Sequence, residues 1–163
     1  MPKDKVPTAA FVWRAGMVWC AAASLAFSFV VVSPAAAFQL ITDAEASLPP
    51  GTPPSFEVRG SPTRLPSITV VSPAGIGAVY SPVDLKLRFR AFGGAAIDPE
   101  SVVVTYVKQP DIDITPRIKS FISANGIDIS QADVPPGTHQ FWVQLRDTDG
   151  RINGREFDFR VTK

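Results

Sequence analysis

Apolar and charged side chains alternate without a break over nine residues, positions 83 to 91. A period of two is typical of a β-strand with one face in a core and the other in water. The inward side chains of this strand are predicted to be Val83, Leu85, Leu87, Phe89 and Ala91. A strand with one apolar face needs a second layer to cover it, so the run predicts a layered β domain.

Residues 101–107 are β-branched and aromatic, which favours a second strand. One side of this strand carries Val102, Val104 and Tyr106, and the other side carries Val103 and Val107. A shorter strand around Ile68 and Val70 lies between two prolines, and flanking prolines are typical of a sheet edge.

The last two strands of the chain are predicted to form a hairpin. Alternation places inward Phe141, Val143 and Leu145 in the first strand, and Phe157, Phe159 and Val161 in the second. The intervening residues 147–150, Asp-Thr-Asp-Gly, are typical of a turn.

One short helix is predicted over residues 116–125. Thr115 followed by Pro116 is typical of an N-cap with proline at the first helical position, and Gly126 suits the residue after a helix end. The apolar face of this helix is predicted to consist of Ile118, Phe121 and Ile122.

This pattern of strands and turns resembles the immunoglobulin-like modules of exported bacterial proteins. The segments that carry the resemblance are Ser72-Pro73, Pro82 with residues 83–89, and residues 97–102, 135–139, 141–151 and 157–161. The resemblance implies a mainly β fold over residues 67–163, an antiparallel immunoglobulin-like sandwich with one short helix. The chain departs from antibody domains because the helix near 116–125 replaces part of a strand connection and the inter-sheet disulfide is absent.

The start of the chain has the pattern of a secretory signal peptide. Basic Lys3, Lys5 and Arg14 precede an apolar run at positions 15–32, and small residues at positions 35–37 provide a cleavage site after Ala37. Residues 1–37 are therefore predicted to direct export to the periplasm or the exterior. The apolar run is just long enough to span a bilayer, so the alternative is an uncleaved membrane anchor, and membrane contact is expected only in that case.

Residues 38–66 are predicted to form a Pro-rich flexible linker between the signal peptide and the β domain. Proline removes amide donors and holds the chain extended, and this stretch contains Pro49-Pro50 and Pro53-Pro54. The alternative is a disordered N-terminus of the mature chain without a spacer role.

Charge and cysteine content exclude several classes of partner and site. Residues 1–37 hold three of the 16 Lys and Arg, one of the 15 Asp and Glu, and the single cysteine, which leaves a net charge of −1 for the rest. Nucleic acid requires clustered positive charge, so it is not an expected partner. One histidine, His139, and no mature cysteine cannot complete a zinc shell, so neither a metal nor a cofactor is expected.

Catalytic patterns are missing from the sequence. His139 follows a Pro-Pro-Gly turn with no nucleophile motif nearby, which indicates a turn histidine and no enzyme. The pairs Asp111 with Asp113 and Asp147 with Asp149 could reach a calcium ion. However, Arg151 and Ile152 occupy positions where an EF-hand loop needs a ligand and a glycine, so turn roles are expected.

Two surface features remain as candidates for binding. Lys86, Arg88 and Arg90 form a basic outward row, either a solvated face that discourages edge pairing or a site for an anionic ligand. Trp142, next to Val103 and Val107, is a candidate for a ligand or partner surface. Alternatively, the predicted helix covers Trp142.

The sequence therefore predicts a non-catalytic exported binding or structural module of the cell envelope that acts through protein contacts. A small carbohydrate-binding accessory domain that uses Trp142 is the alternative. The expected partner is an envelope protein or a glycan.

Overall fold

The computed structural model describes residues 37–54, 64–74 and 77–162. The predicted signal peptide lies outside these ranges except for Ala37. Within the described ranges, no helix is both long enough and apolar enough to cross a membrane.

The described residues are mainly β, with two short α-helices. In chain order the elements are β1 (Phe38–Gln39), α1 (Asp43–Ala46), β2 (Ser67–Ser72), β3 (Ala78–Tyr80), β4 (Val83–Arg90), β5 (Ile97–Tyr106), β6 (Ile112–Asp113), α2 (Thr115–Ile118), a 3₁₀ turn (Lys119–Phe121), β7 (Ile122–Ser123), β8 (Gly126–Asp133), β9 (Gly137–Asp147) and β10 (Ile152–Thr162).

Two mixed sheets contain these strands. The first has the order β1-β8-β4-β2, with β7 also paired to β8, and the second has the order β3-β10-β9-β5-β6. Most neighbours are antiparallel, but β1 pairs with β8 and β3 pairs with β10 in parallel. The predicted antiparallel pairing therefore holds for most neighbours but not for these two pairs. Strand β2 belongs to the first sheet and β3 to the second, where β3 pairs in parallel with β10.

The two sheets share one hydrophobic core, to which both contribute. The inward residues predicted for β4, β5, β9 and β10 are confirmed as buried, except that Ala91 is partly exposed. Phe141 lies at the centre, with its ring stacked at 5.4 Å from that of Phe157 and 5.6 Å from that of Phe159. The period of two thus placed the core correctly, because a pleated strand sends alternate side chains to opposite faces.

The predicted hairpin of β9 and β10 is confirmed, and the carboxylate of Asp147 organises its turn. Asp147 Oδ1 accepts hydrogen bonds from the backbone N–H groups of Asp149 and Arg151, at 3.1 and 2.9 Å, and Oδ2 accepts one from Arg151 Nε at 2.7 Å. Burial raises the pKa of Asp147, but these hydrogen bonds outweigh burial and hold the pKa below its usual value. The turn role predicted for this pair of aspartates therefore holds.

The helix near residue 116 is shorter than predicted. It ends at Ile118 and continues only as the 3₁₀ turn, and its N-cap is Ile114 rather than Thr115. The Thr115 hydroxyl instead accepts a hydrogen bond from the N–H of Val104 at 2.8 Å, which ties the helix to β5. Ile118 is buried in the shared core, so the helix packs at the side of the sandwich and not on its outer face.

Residues 38–51, which we call the N-terminal strap, pack against the domain and do not form the predicted flexible linker. Leu40 and Ile41 are fully buried in the shared core, and β1 extends the first sheet. The ring of Phe38 lies 5.1 Å from that of Phe121. The linker prediction was based on the prolines that follow, and it missed the apolar cluster at residues 38–41. This cluster needs burial as much as any strand does.

Lys108 fixes the far end of the N-terminal strap. Its ammonium group donates hydrogen bonds to the carbonyls of Ala46 and Leu48, at 2.8 and 3.1 Å, and lies 5.2 Å from the ring centroid of Tyr106. The N–H of Gln109 donates to the carbonyl of Pro49 at 3.0 Å. The strap is thus held at both ends by polar contacts as well as by apolar burial.

Candidate functional site

Trp142 does not form an exposed platform. It lies on the outer face of the second sheet, opposite Thr105 and Glu156, and only 9% of its surface is exposed. Its indole lies directly over Gly154, so closely that a Cβ atom added there would overlap the ring. The prediction that Trp142 is covered agrees with this burial, but Gly154, rather than the helix, supplies the contact.

Val103 and Val107 do not complete a surface around Trp142. Val103 is 40% exposed, whereas Val107 is buried. The N–H of Val107 donates to the carbonyl of Gln140 at 2.9 Å. Of the three predicted surface residues, the structure therefore leaves only Val103 accessible.

His139 is buried and belongs to a polar chain inside the domain. Its Nδ1 lies 2.9 Å from the hydroxyl of Tyr106, and its Nε2 lies 2.8 Å from the carbonyl oxygen of Pro135. Because a carbonyl can only accept, Nε2 carries the proton, and Nδ1 accepts the proton of Tyr106. Both ring nitrogens are thereby occupied, which gives His139 a structural role.

The environment keeps this pair neutral. Burial lowers the pKa of His139 below 6.5, although the bond to Pro135 opposes the shift. Burial likewise raises the pKa of Tyr106 to about 12. A neutral histidine beside a protonated tyrosine matches the donor and acceptor pattern of the two hydrogen bonds.

The basic row on β4 faces outward, as predicted, but its members differ. Lys86 pairs with Asp128 at 3.3 Å. Arg88 and Arg90 are exposed, and among the described residues neither has an ion-pair partner. Arg88 lies between Thr69 of β2 and Gly126 of β8. The positive charges of Arg88 and Arg90 are therefore not compensated by an ion pair among the described residues.

A concavity of about 270 Å³ lies on the same face of the first sheet. Arg88, the half-exposed Val71 and Asn125 are among its lining residues. We call this part of the sheet the basic face, defined by Val71, Lys86, Arg88, Arg90 and Asn125; all of these except Arg90 line the concavity, as does Asp128, the partner of Lys86. It combines a cation, an apolar side chain and an amide within one open surface.

The aspartate pairs do not gather into a metal site. Asp113 Oδ1 accepts the N–H of Thr115 at 2.8 Å and so supports the start of α2. In the part of the chain that the structure describes, no group of three or more His, Cys, Asp or Glu could hold a metal ion.

Tyr80 is a surface residue that the sequence reasoning missed. It is the last residue of the edge strand β3 and is 71% exposed. Tyr80 lines an open concavity of about 430 Å³, together with Asp84 and Gln131. The signal that could have found it is its position, an aromatic residue directly before Ser81-Pro82 and outside every alternating run.

A comparison of the chain with protein-family models, with curated proteins and with solved structures finds no match.

Proposed function

We propose that this chain is an exported, non-catalytic binding module with an immunoglobulin-like fold, which contacts an acidic protein partner of the cell envelope through its basic face. The observation that carries the proposal is the exposed Arg88, which lines one concavity together with the apolar side chain of Val71, and the second exposed arginine, Arg90, two positions further along β4. Positive charge beside an exposed apolar group is complementary to an acidic surface with an apolar contact.

The buried polar side chains bond to other parts of the fold, and this supports a binding role over a catalytic one. Among the residues that the structure describes, the buried side chains classed as polar or charged are Lys108, His139 and Asp147. Each has its polar atoms engaged with the fold: Lys108 with the N-terminal strap, His139 with Tyr106 and Pro135, and Asp147 with its own turn. A general acid or base must reach a substrate, and these groups are occupied elsewhere.

The strand order supports the immunoglobulin-like assignment. When β2, β4, β5, β8, β9 and β10 are matched to strands A, B, C, E, F and G, the two sheets have the orders A-B-E and G-F-C. These are the neighbours found in immunoglobulin sandwiches. The passage of the chain from β2 to β3 then divides the first strand between the two sheets.

The glycan alternative based on Trp142 lacks its main requirement. A stacking platform needs an accessible ring face, and Trp142 is 9% exposed while Val107 is buried. We therefore give preference to the protein partner.

The test is a cross-linking experiment on the full chain, expressed with a C-terminal tag in its native host. We expect a cross-linked complex with an acidic envelope protein that weakens as the salt concentration rises. Arg88→Glu should abolish the complex, whereas the matched control Arg160→Glu, an exposed arginine on β10, should preserve it. Equal yields from both variants, or no complex in the wild-type chain, would refute the proposal.

Export is tested on the same preparation. Cell fractionation should place the protein outside the cytoplasm, and N-terminal sequencing should begin at Phe38, since the predicted cleavage follows Ala37. A chain that begins at Met1 and stays with the membrane fraction would favour the uncleaved anchor.

A further inference from the structure

Tyr80 is the most exposed of the large apolar side chains in the described part of the chain. Its exposed fraction is 71%, compared with 40% or less for Val71, Val103 and Ile152. An aromatic ring left so open loses the free energy of burial that the other aromatic residues of the fold gain. Its position therefore calls for an explanation outside the packing of the domain.

The backbone on both sides of Tyr80 is fixed. Tyr80 pairs with Thr162 in the parallel ladder of β3 and β10. The next residue, Ser81, donates its hydroxyl to Asp133 Oδ1 at 3.1 Å and accepts the N–H of Val134 at 3.2 Å. The ring thus projects from an anchored support, which reduces the conformational entropy that a ligand would have to restrict.

Polar groups line the same concavity as the Tyr80 ring. Asp84 Oδ1 accepts the N–H of Gln131 at 2.9 Å. This bond holds Gln131 at a φ of 54°, in the left-handed region that a residue with a side chain seldom adopts. Both residues line the concavity and both are exposed, so a carboxylate oxygen and a side-chain amide are open to a ligand.

The remaining lining of the concavity is apolar or neutral. It includes Pro73, Pro82 and Val83, and no lysine or arginine is found among the described lining residues. An anionic ligand would find no cation here, and it would face the carboxylate of Asp84. This lining therefore disfavours an anionic ligand, and its carboxylate can accept hydrogen bonds from the hydroxyl groups of a neutral one.

We propose that this concavity, the Tyr80 site, binds a neutral oligosaccharide. A pyranose ring has a face of C–H groups and an edge of hydroxyls. The Tyr80 ring would stack on the C–H face. Asp84 would accept hydrogen bonds from the hydroxyls, and the Gln131 amide would both donate hydrogen bonds to them and accept hydrogen bonds from them. The volume, about 430 Å³, is within the range of small-molecule sites. A proline-rich peptide fits less well, because such peptides are bound in grooves lined by several aromatic rings, and Tyr80 is the single aromatic residue in the described part of this lining.

The Tyr80 site is independent of the basic face. The two sites share no lining residue. Arg88→Glu should therefore leave sugar binding unchanged, and Tyr80→Ala should leave the cross-linked protein complex unchanged. These two variants distinguish a failure of this inference from a failure of the proposed function.

The experiment titrates the exported protein with cellohexaose, xylohexaose, maltohexaose, chitohexaose and decaproline, using calorimetry and NMR. We expect at least one sugar to bind and decaproline not to bind. Tyr80→Ala should weaken sugar binding by about tenfold or more, the effect of losing one aromatic contact. Tyr80→Phe keeps the ring and should stay within about threefold of the wild type.

The matched control is Ile152→Ala, which removes a half-exposed apolar side chain outside the Tyr80 site and should not change sugar binding. Circular dichroism of each variant verifies folding. Three results would overturn the inference: no sugar of the panel binds, a sugar binds equally to the wild type and to Tyr80→Ala, or decaproline alone binds.

Discussion

The guanidinium of Arg117 donates two hydrogen bonds to the carboxylate of Glu45, at 2.8 and 3.1 Å, across 72 positions of the sequence. Arg117 Nη1 also donates to the carbonyl of Leu40 at 2.6 Å. The Glu45 carboxylate also accepts the N–H of Thr42, and the N–H of Glu45 donates to the Thr42 hydroxyl oxygen, which completes the capping box of α1. This one contact joins the N-terminal strap to α2, and it is largely shielded from solvent on the Glu45 side.

Arg117→Ala should lower the free energy of unfolding by about 2–3 kcal/mol, since it leaves a partly buried carboxylate without its cation. The hydrogen bond from Arg117 is the main cause that lowers the pKa of Glu45 from 4.5 to about 2. As the pH falls, Glu45 therefore becomes protonated in the unfolded chain before it does so in the folded protein. The stabilisation is therefore complete above about pH 4.5 and is lost as the pH falls toward 2.

Urea unfolding measures the loss of stability caused by Arg117→Ala, when the wild type and the variant are compared at pH 6 and at pH 3. The difference between the two proteins should shrink at pH 3. Arg146→Ala, which breaks an exposed pair with Asp98 of 3.6 Å, is the control and should change stability by less than about 1 kcal/mol. A difference that stays constant with pH would contradict the assignment to Glu45.

His139 should titrate below pH 6.5. Burial disfavours its charged form, so the folded protein resists protonation while the unfolded chain accepts a proton below 6.5. Stability from this residue is therefore present above pH 6.5 and is lost as the pH falls through the lowered pKa. His139 is the only histidine of the chain, so its imidazole proton signal in an untagged protein gives the midpoint directly by NMR. A midpoint at or above 6.5 would exclude the buried neutral ring.

Tyr106→Phe should lower the free energy of unfolding by about 1–3 kcal/mol, because it removes the donor of His139 Nδ1 and leaves a buried acceptor unpaired. The same substitution at the exposed Tyr80 is the matched control and should change stability by no more than about 0.5 kcal/mol. Thermal unfolding followed by circular dichroism compares the two. Equal effects would mean that the Tyr106 hydroxyl is not used in the fold.

Gly154→Ala should lower the free energy of unfolding by about 1–3 kcal/mol, because the added methyl group overlaps the indole of Trp142. Trp142 is the only tryptophan after residue 37, so its fluorescence in the mature protein should shift to the red as the ring is displaced. Gly77→Ala, where nothing lies within 4 Å of the added atom, is the control. An unchanged emission spectrum in Gly154→Ala would argue against this contact.

Ile41→Ala should lower the free energy of unfolding by about 2–5 kcal/mol, as expected for a fully buried residue of the shared core. Leu145→Ala, in the middle of β9, should have an effect of similar size. A flexible linker would instead give no change at Ile41. Urea unfolding of both variants therefore decides whether the N-terminal strap belongs to the domain in solution.

The Trp142 surface illustrates why the candidate site could not be read from the sequence. Alternation correctly placed Trp142 on the outer face of β9, but its accessibility depends on which residue lies next to it. That residue is Gly154, on β10, and a glycine carries no pattern that marks it as a partner. Tyr80 was missed for the opposite reason, since a single exposed aromatic residue outside an alternating run produces no periodicity.

The strands and the faces they bury could be predicted from the amino-acid sequence, because the alternation in residues 83–91 and in the final hairpin is local and the pleat converts it directly into an inside and an outside. Contacts between distant segments became visible only in the folded domain. The strap is part of the domain because Leu40 and Ile41 fill the core and Glu45 meets Arg117. Glu45 and Arg117 are 72 positions apart, and no local pattern specifies such a pair.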